Sequence, residues 1–383
     1  MRKSLLLIIF IIPLIFISGC WEKREINDTA VTTGFGADLN AQEQISFSVQ
    51  LAQPTAPGES GTDNSQSKVF TASGTTITEA ARKTLLFLPQ MPLWSHSNAF
   101  IIGEKMARKD VSLMTDFLSR NRNVRPEVIM LVALQTTPGE VLKIPLPLRR
   151  FSGKNFGNLL KIQETQLGIY VPVTLNDFIS KLSIPGVEPA VPQVAIVKEE
   201  KKEKLILQGM AVFKGPQMVG SLNEMESRGY RWLNSTVNHG GIIIIRSPIN
   251  NEDTITLEIN QFQHKTRPQL NQGKLKMEID VETELVFYEQ NGTGELLNLE
   301  MSKLMEELAR QEIEKEISAC IIKSQSLQSD ILGWGRSVNR YQPEEWKWLG
   351  SEWPSIFPGV ESEIRVKTKI IRANLSIKSF EFK

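Results

Sequence analysis

The side chain best suited to covalent chemistry is the thiol of Cys20, one of two cysteines in the 383-residue chain. It follows the small residues Ser18 and Gly19 and precedes the charged run WEKREIN. A thiol can be alkylated to a thioether, and a serine hydroxyl would not substitute for it. The other cysteine, Cys320, shares one face of a predicted helix with isoleucines, so we expect a buried thiol that packs as a small hydrophobe. Cys20 is therefore the candidate for modification, and no disulfide framework is expected.

The residues before Cys20 have the pattern of an export signal. Arg2 and Lys3 precede an apolar run of 13 residues, 5–17, which is shorter than the roughly 20 residues that span a bilayer as a helix. The stretch resembles the lipobox of bacterial lipoproteins, with an isoleucine where leucine is commoner. The resemblance implies that residues 1–19 are a cleaved signal peptide and that Cys20 becomes an N-palmitoyl, S-diacylglycerol cysteine, whose acyl chains anchor the chain to a membrane. The alternatives are an uncleaved signal anchor and an ordinary secretory signal peptide that is cut near a cysteine by chance.

No other residue pattern in the sequence indicates catalysis or cofactor binding. The GFG at 34–36 lacks the third glycine of a dinucleotide site, and neither a phosphate-binding loop nor a GxSxG elbow occurs. His96, His239 and His264 are scattered and have no metal-ligand spacing. The sequence therefore predicts no metal, no cofactor and no enzymatic activity, and favours binding, scaffolding or signal transfer.

The charge balance argues against nucleic acid as a partner. The formal net charge is +1, and loss of Arg2 and Lys3 with the leader makes it −1. The basic residues are mixed with acidic ones, so no positive surface is expected that could neutralise phosphates. Hydrophobic residues at 41% and charged residues at 23% are typical of a chain that folds in water.

Composition and hydrophobic pattern divide the chain into segments. A lipidated tether is followed by a region where strands and helices alternate, then by a proline-rich region with a hairpin, predicted as a middle subdomain, and then by alternating strands with a long helix. The predicted segments are 1–19 for the signal peptide, 20–29 for the tether, 30–136 for an N-terminal mixed α/β domain, 137–204 for the middle subdomain and 205–383 for a C-terminal α+β domain.

Several elements within these segments are predicted from their periodicity. Residues 105–121 are predicted as one amphipathic helix, and residues 54–68, rich in Pro, Gly and Ser, as a surface loop. Residues 299–325 are predicted as a long amphipathic helix that lies across a sheet. The predicted fold class is thus α+β, or mixed α/β, with mostly antiparallel sheets covered by helices.

Three segments together resemble the Ger(x)C family, the C subunits of spore germinant receptors. They are GCWEKREIND at 19–28, QGMAVFKGPQMVGSLNEMESRGYRWL at 208–233, and DILGWGRSVNRYQPEEWKWLGSEWPSIFPGVESEIRVKTKIIRANL at 330–375. They occur in the family's order and reach almost from end to end of the chain. The departures are small: Trp334 stands where phenylalanine is usual, and Tyr230 stands where an aliphatic residue is commoner.

The resemblance implies a three-domain fold and a non-enzymatic role. It implies a lipoprotein subunit at the outer face of the spore inner membrane, beside the A and B subunits of a receptor that responds to small nutrients. Its contribution would be receptor assembly or signal transfer, and direct binding of a small molecule is left open. The alternatives are an extracytoplasmic solute-binding lipoprotein, which would show ligand-dependent thermal stabilisation, and a cell-wall hydrolase, which would need an acid pair in a cleft.

Two groups of residues within the resembling segments have two possible roles each. Asn223, Glu224, Glu226 and Arg228 are either helix caps and salt bridges or an exposed contact for a partner. The aromatic residues of 346–357 either pack a helix end against the sheet or serve as interface anchors; they are Trp346, Trp348, Trp353 and Phe357.

Overall fold

The computed structural model describes residues 28–52, 68–147, 151–200, 202–271, 273–296 and 298–373. The predicted signal peptide, Cys20 and the tether up to residue 27 lie outside the described residues, as does nearly all of the predicted loop at 54–68. The described strands form two sheets.

The first sheet contains nine strands. They are β1 (Thr29–Leu39), β2 (Ile45–Leu51), β3 (Lys68–Gly74), β4 (Met91–Leu93), β5 (Ala99–Gly103), β6 (Ile129–Ala133), β7 (Ala190–Glu199), β8 (Lys202–Lys214) and β9 (Gln217–Leu222). Their order is β3-β2-β1-β5-β6-β7-β8-β9, with β4 paired to the start of β1. The central strands β1, β5, β6 and β7 run parallel, and antiparallel strands flank them on both sides.

Helices cover both faces of this sheet, which explains why the central strands read as continuous apolar runs. Ten helices are described: α1 (Ile77–Lys83), α2 (Glu104–Lys109), α3 (Ser112–Arg120), α4 (Pro138–Lys143), α5 (Ser152–Gln166), α6 (Leu175–Ser183), α7 (Glu224–Asn234), α8 (Leu299–Ser326), α9 (Trp334–Tyr341) and α10 (Pro343–Ile356). Phe100 and Ile102 of β5 share a core with α1, α2, α3 and α6. Ile101, which points to the other face, lies in the core that contains α4 and α5.

The second sheet has four strands and one long helix. The strands are β10 (Ile242–Arg246), β11 (Thr254–Asn271), β12 (Lys274–Asn291) and β13 (Glu361–Ala373), in that order. In β11, Ile255, Leu257 and Ile259 alternate inward, and they share a core with Ile313 and Ile317 of α8. The predicted long helix is confirmed, because α8 differs from the predicted range by one residue at its end.

The mixed α+β fold class is confirmed. Six of the eleven strand pairs are antiparallel and five are parallel. The boundary that the sequence predicted between 204 and 205 falls in the hairpin of β7 and β8, and both strands belong to the first sheet. The division of the chain into three domains stays a prediction.

The prediction of one helix over residues 105–121 is wrong. The structure has two helices, α2 and α3, separated at Asp110 and Val111. The backbone of Asp110 is extended, with φ of −174°, and its Oδ1 accepts a hydrogen bond of 2.7 Å from the Ser112 backbone N–H. The Asp110 side chain thus accepts the hydrogen bond that a backbone carbonyl would accept in a continuous helix, as short polar residues do at helix starts.

Candidate functional site

The helix α7 carries the four residues that were predicted as caps or partner contacts. Asn223 precedes the helix, and its side chain accepts a hydrogen bond of 2.9 Å from the Glu226 backbone N–H. The Glu226 carboxylate accepts one of 2.7 Å from the Asn223 backbone N–H, which completes a capping box. Both side chains therefore stabilise the start of α7.

Arg228 connects α7 to other parts of the chain. Its Nη1 donates to the backbone carbonyl of Leu167, which follows α5, at 3.0 Å and to that of Ile242 in β10 at 3.1 Å. Its side chain is 17% exposed and approaches Glu224 at 3.5 Å and Glu316 of α8 at 4.0 Å. One guanidinium thus links the covering helices of the first sheet to the second sheet.

Helices α7 and α8 approach closely at Gly229. A methyl group at this position would lie 2.0 Å from the Glu316 backbone oxygen and 2.7 Å from Cβ of Cys320. Only a residue without a side chain fits this crossing. Cys320 is fully buried there, and burial raises the pKa of its thiol well above the ordinary value, which confirms the prediction of a packed thiol.

Glu316 is a buried carboxyl group at the same crossing. Trp232 of α7 donates its indole N–H to Glu316 Oε2 at 2.7 Å, and the Trp232 ring packs edge to face on Phe262 of β11, with the centroids 4.8 Å apart. Burial raises the pKa of Glu316 to about 7, although Trp232 and Arg228 act in the opposite direction. Glu316 thus fixes the orientation of a core tryptophan.

Arg231 lies on the adjacent face of α7 and is 1% exposed. Its Nη2 donates to the backbone carbonyls of His239 at 2.9 Å and Gly240 at 2.7 Å, and its guanidinium lies 5.1 Å from the centroid of Phe262. Burial lowers the pKa of Arg231 to about 10, and the attraction of Glu164 in α5 partly offsets this. The buried charge therefore holds the loop between α7 and β10 against the core.

Asp330 forms a second buried polar centre, just before α9. It accepts hydrogen bonds from the backbone N–H groups of Trp334 at 3.0 Å and Gly335 at 2.8 Å, and from the indole N–H of Trp353 at 2.9 Å. Burial raises the pKa of Asp330 to about 6, against the effect of these donors. Its backbone carbonyl also accepts from Glu188, which precedes β7, at 2.9 Å. Asp330 thus joins α9 and α10 to the first sheet.

The aromatic residues of 346–357 mostly pack in the core. Trp353 and Phe357 are buried, Trp346 packs against the core from a partly buried position, and Trp348 is exposed. Core packing therefore accounts for three of the four.

The four predicted contact residues are close together, because all lie at the start of α7. The capping box and the Arg228 contacts support their structural role, and partner contact stays a prediction. The pattern did not single out Glu316 and Asp330. The signal for Glu316 was its position between Ile313, Ile317 and Cys320 on the apolar face of α8, where an unpaired charge would be costly.

The side chains of α7, above all Arg228 and Trp232, hold the two sheets together, and we call their contacts the joint. Glu316 and Asp330 each accept at least one hydrogen bond from an N–H donor of the chain. Among the described residues, no group of three or more His, Cys, Asp or Glu side chains could hold a metal ion, and no helix is both long and apolar enough to cross a membrane. Helix α7 contacts β8 and β9 of the first sheet and β11 of the second, so it forms part of the interface between the two sheets.

Comparisons with known proteins give consistent matches along the chain. Residues 22–196 match the family described as "Spore germination protein N-terminal domain". Residues 208–374 match the family described as "Spore germination B3/ GerAC like, C-terminal".

Individual relatives match over nearly their whole length. The chain is 26% identical to spore germination protein KC of Bacillus subtilis (strain 168), over 98% of this chain and 97% of that protein. It is 21% identical to spore germination protein GerQC of Bacillus cereus, over 96% and 99%. A crystal structure of the GerBC protein matches with a TM-score of 0.59 and 17% identity, over 88% of this chain and 97% of that chain, which shows a shared fold.

Proposed function

Because the chain belongs to the Ger(x)C family of spore germination proteins, we propose that it is the lipoprotein C subunit of a nutrient germinant receptor. The observation that carries this proposal is the pair of family matches, which together run from residue 22 to residue 374 in the family's order. In this role the chain catalyses no reaction. It contributes to the germination response of the spore through receptor assembly or signal transfer.

The proposed location is the outer face of the spore inner membrane, with attachment by lipid. The leader of residues 1–19 is cleaved, and Cys20 carries an S-diacylglycerol group and an N-linked palmitate. The support is the sequence itself, in which two basic residues, 13 apolar residues and a small pair precede the cysteine. Two or more acyl chains give stable attachment, whereas a single chain is marginal.

The proposed partners are the A and B subunits of the receptor, and the start of α7 is the proposed contact surface. Glu224 is the most accessible charged member of the four, with a side chain that is 62% exposed. Glu224→Lys should reduce nutrient-triggered germination and lower the melting temperature of the purified chain only slightly, because the Glu224 side chain that contacts Arg228 is exposed to solvent. The control, Lys347→Glu, reverses an exposed charge on α10. An equal loss of germination in both variants, or no loss in either, would contradict the contact.

The main experiment tests the anchor and the function together. In a strain without redundant receptors, Cys20→Ala should abolish palmitate incorporation, release the chain from the membrane fraction and impair nutrient-triggered germination. Germination by an agent that bypasses the receptors should be unchanged. A normal nutrient response in this strain, or in the gene deletion, would remove the proposal. Thermal stabilisation of the purified chain by a nutrient or other solute would instead favour a solute-binding lipoprotein.

A further inference from the structure

The start of β1 identifies the end of the molecule that lies nearest to Cys20. The first described residue is Asp28, eight residues after Cys20. Even a fully extended chain of this length reaches only about 30 Å. Thr29, the first residue of β1, pairs with Met91 of β4, so β4 lies at this same end of the first sheet.

Several apolar side chains that face solvent lie near this end. Leu86 is 82% exposed, and Leu85, Phe87, Met91 and Val31 are also exposed. We call these five residues the tether-side patch. Val31 and Met91 lie on the same face of the sheet, because Val31 pairs with Leu93 and Met91 with Thr29 in parallel register. Phe87 stacks on Phe70 of β3, with the centroids 5.9 Å apart.

A groove of about 570 Å³ runs beside the patch, between α1, β4 and α3. Leu85 and Met91 form part of its wall, together with the aromatic side chains of Trp94 and Phe117. Around it Lys83 pairs with Glu79 and Arg120 pairs with Asp116, and Arg82 leaves a net charge of +1 among these five residues. Exposed apolar and aromatic side chains that can enter the headgroup region are typical of proteins that lie on a membrane surface.

We propose that the tether-side patch inserts into the headgroup region of the membrane to which Cys20 is attached. This inference rests on the proposed lipid anchor, because the anchor is what brings the patch to the bilayer. The short tether keeps the patch at high effective concentration near lipid, so a contact that would be weak for a free chain becomes persistent. The docked patch would fix the orientation of the first sheet relative to the membrane, and the contacts of α7 would carry the second sheet with it.

The test uses the chain from Cys20 onward, coupled through the Cys20 thiol to maleimide lipid in phosphatidylcholine–phosphatidylglycerol vesicles. Coupling is selective because the other cysteine, Cys320, is fully buried. Amide hydrogen exchange is compared between vesicle-bound and free chain. Exchange should slow in the segment 84–91 on vesicles and stay unchanged in a peptide from the exposed start of α8.

Substitutions separate docking from mere proximity to lipid. The double variant Leu86→Gln, Met91→Gln should lose the slowing in 84–91 although its tether is intact. The matched control is Leu299→Gln at the start of α8, a leucine that is 76% exposed, which should keep the slowing. The vesicles hold no other protein. If exchange in 84–91 of the parent chain is the same on these vesicles as in the free chain, the proposal is wrong. It is also wrong if the double variant still shows the slower exchange.

This experiment is independent of cellular lipidation, because the maleimide lipid supplies the anchor. A chain that docks on vesicles while Cys20→Ala leaves germination normal would refute the proposed function alone. A chain that does not dock while Cys20→Ala impairs germination would refute the docking alone.

Discussion

Glu316 and Asp330 each accept a hydrogen bond from the indole N–H of a buried tryptophan, Trp232 and Trp353. A tryptophan ring contributes a large apolar area, but its N–H costs free energy if it is buried without an acceptor. A carboxyl group accepts that hydrogen bond, but its own burial removes it from water and so raises the pKa of the acid. At the residue scale, these two acids therefore connect stability to pH.

The substitution Glu316→Gln should change how stability depends on pH. Burial raises the pKa of Glu316 from 4.5 to about 7, so its stabilising contribution is complete below pH 4.5 and is lost as the pH rises through 7. Glutamine keeps an acceptor for Trp232 and does not titrate. Between pH 4.5 and pH 8 the parent chain should lose up to about 3 kcal/mol of unfolding free energy that the variant keeps.

Urea unfolding at several pH values measures this difference. The control is Glu307→Gln, on the exposed face of α8, because Arg310 lowers the pKa of Glu307 to about 2 and so places its titration below this range. If the parent chain and Glu316→Gln show the same slope above pH 4.5, Glu316 is ionised in the folded chain throughout.

The sequence predicted some of these residue-scale features and missed others. Burial of Cys320 followed from helical periodicity, because a small apolar side chain needs only a place on the buried face. Glu316 occupies that same face, but periodicity does not reveal which donor satisfies a buried acid. That donor is Trp232, 84 positions away in the chain, so only the three-dimensional structure identifies the pair.

At the element scale, the crossing of α7 and α8 depends on Gly229. Glycine in a helix interior is ordinarily unfavourable relative to alanine by about 1 kcal/mol. Here the space for a methyl group is already taken by the backbone of Glu316. The close approach places Trp232 within reach of Glu316 and brings Arg228 to the carbonyls of Leu167 and Ile242.

Two glycine substitutions should therefore have opposite signs. Gly229→Ala should destabilise the chain by about 3 kcal/mol, because the overpacked helices must separate. Gly157→Ala, inside α5, should stabilise it by about 0.5–1 kcal/mol, because a methyl group there meets only an ordinary contact of 3.4 Å with Ile129. Chemical denaturation measures both. Stabilisation by Gly229→Ala would show that the two helices are further apart than the structure has them.

Prediction of elements succeeded where a long pattern decided the outcome. The range of α8 followed from its apolar stripe, whereas one aspartate, Asp110, was enough to divide the helix predicted over 105–121. The order of the strands could not be predicted, because β7, β8 and β9 add to a sheet whose other strands end almost 60 residues earlier. Such long-range pairing depends on packing that no local pattern records.

At the scale of the whole molecule, the two sheets share one hydrophobic core. Ile101 and Leu131 of the first sheet belong to the same contiguous cluster as Leu257 and Ile279 of the second. The polar centres at Glu316 and Asp330 lie at this junction. Because this cluster spans both sheets, we expect the two sheets to open together rather than one at a time.

Asp330→Asn tests this cooperativity. Asparagine offers one acceptor oxygen and two donors to a site with three N–H donors, so the variant should lose about 3 kcal/mol of stability. Hydrogen exchange should then accelerate together in peptides from β5 and from β12. Faster exchange in the C-terminal peptides alone would mean that the sheets unfold independently.

The sequence predicted where the candidate site lies but not which residues contact one another there. The segment at 208–233 was singled out by its resemblance to a family, and it contains α7 with Arg228 and Trp232. The partners of these side chains come from α5, β10 and α8, so the joint between the sheets became visible only once these elements were placed together.

The hairpin of β7 and β8 also determines how chimeras of such chains can be made. The two family matches end at residue 196 and begin at residue 208, which invites a splice between them. That splice would take β8 and β9 from one parent and the rest of their sheet from another. The backbone register and the side-chain packing between β7 and β8 would then be mismatched. A crossover after Leu222, where β9 ends and the cap of α7 begins, transfers each sheet intact and confines the mismatch to the joint.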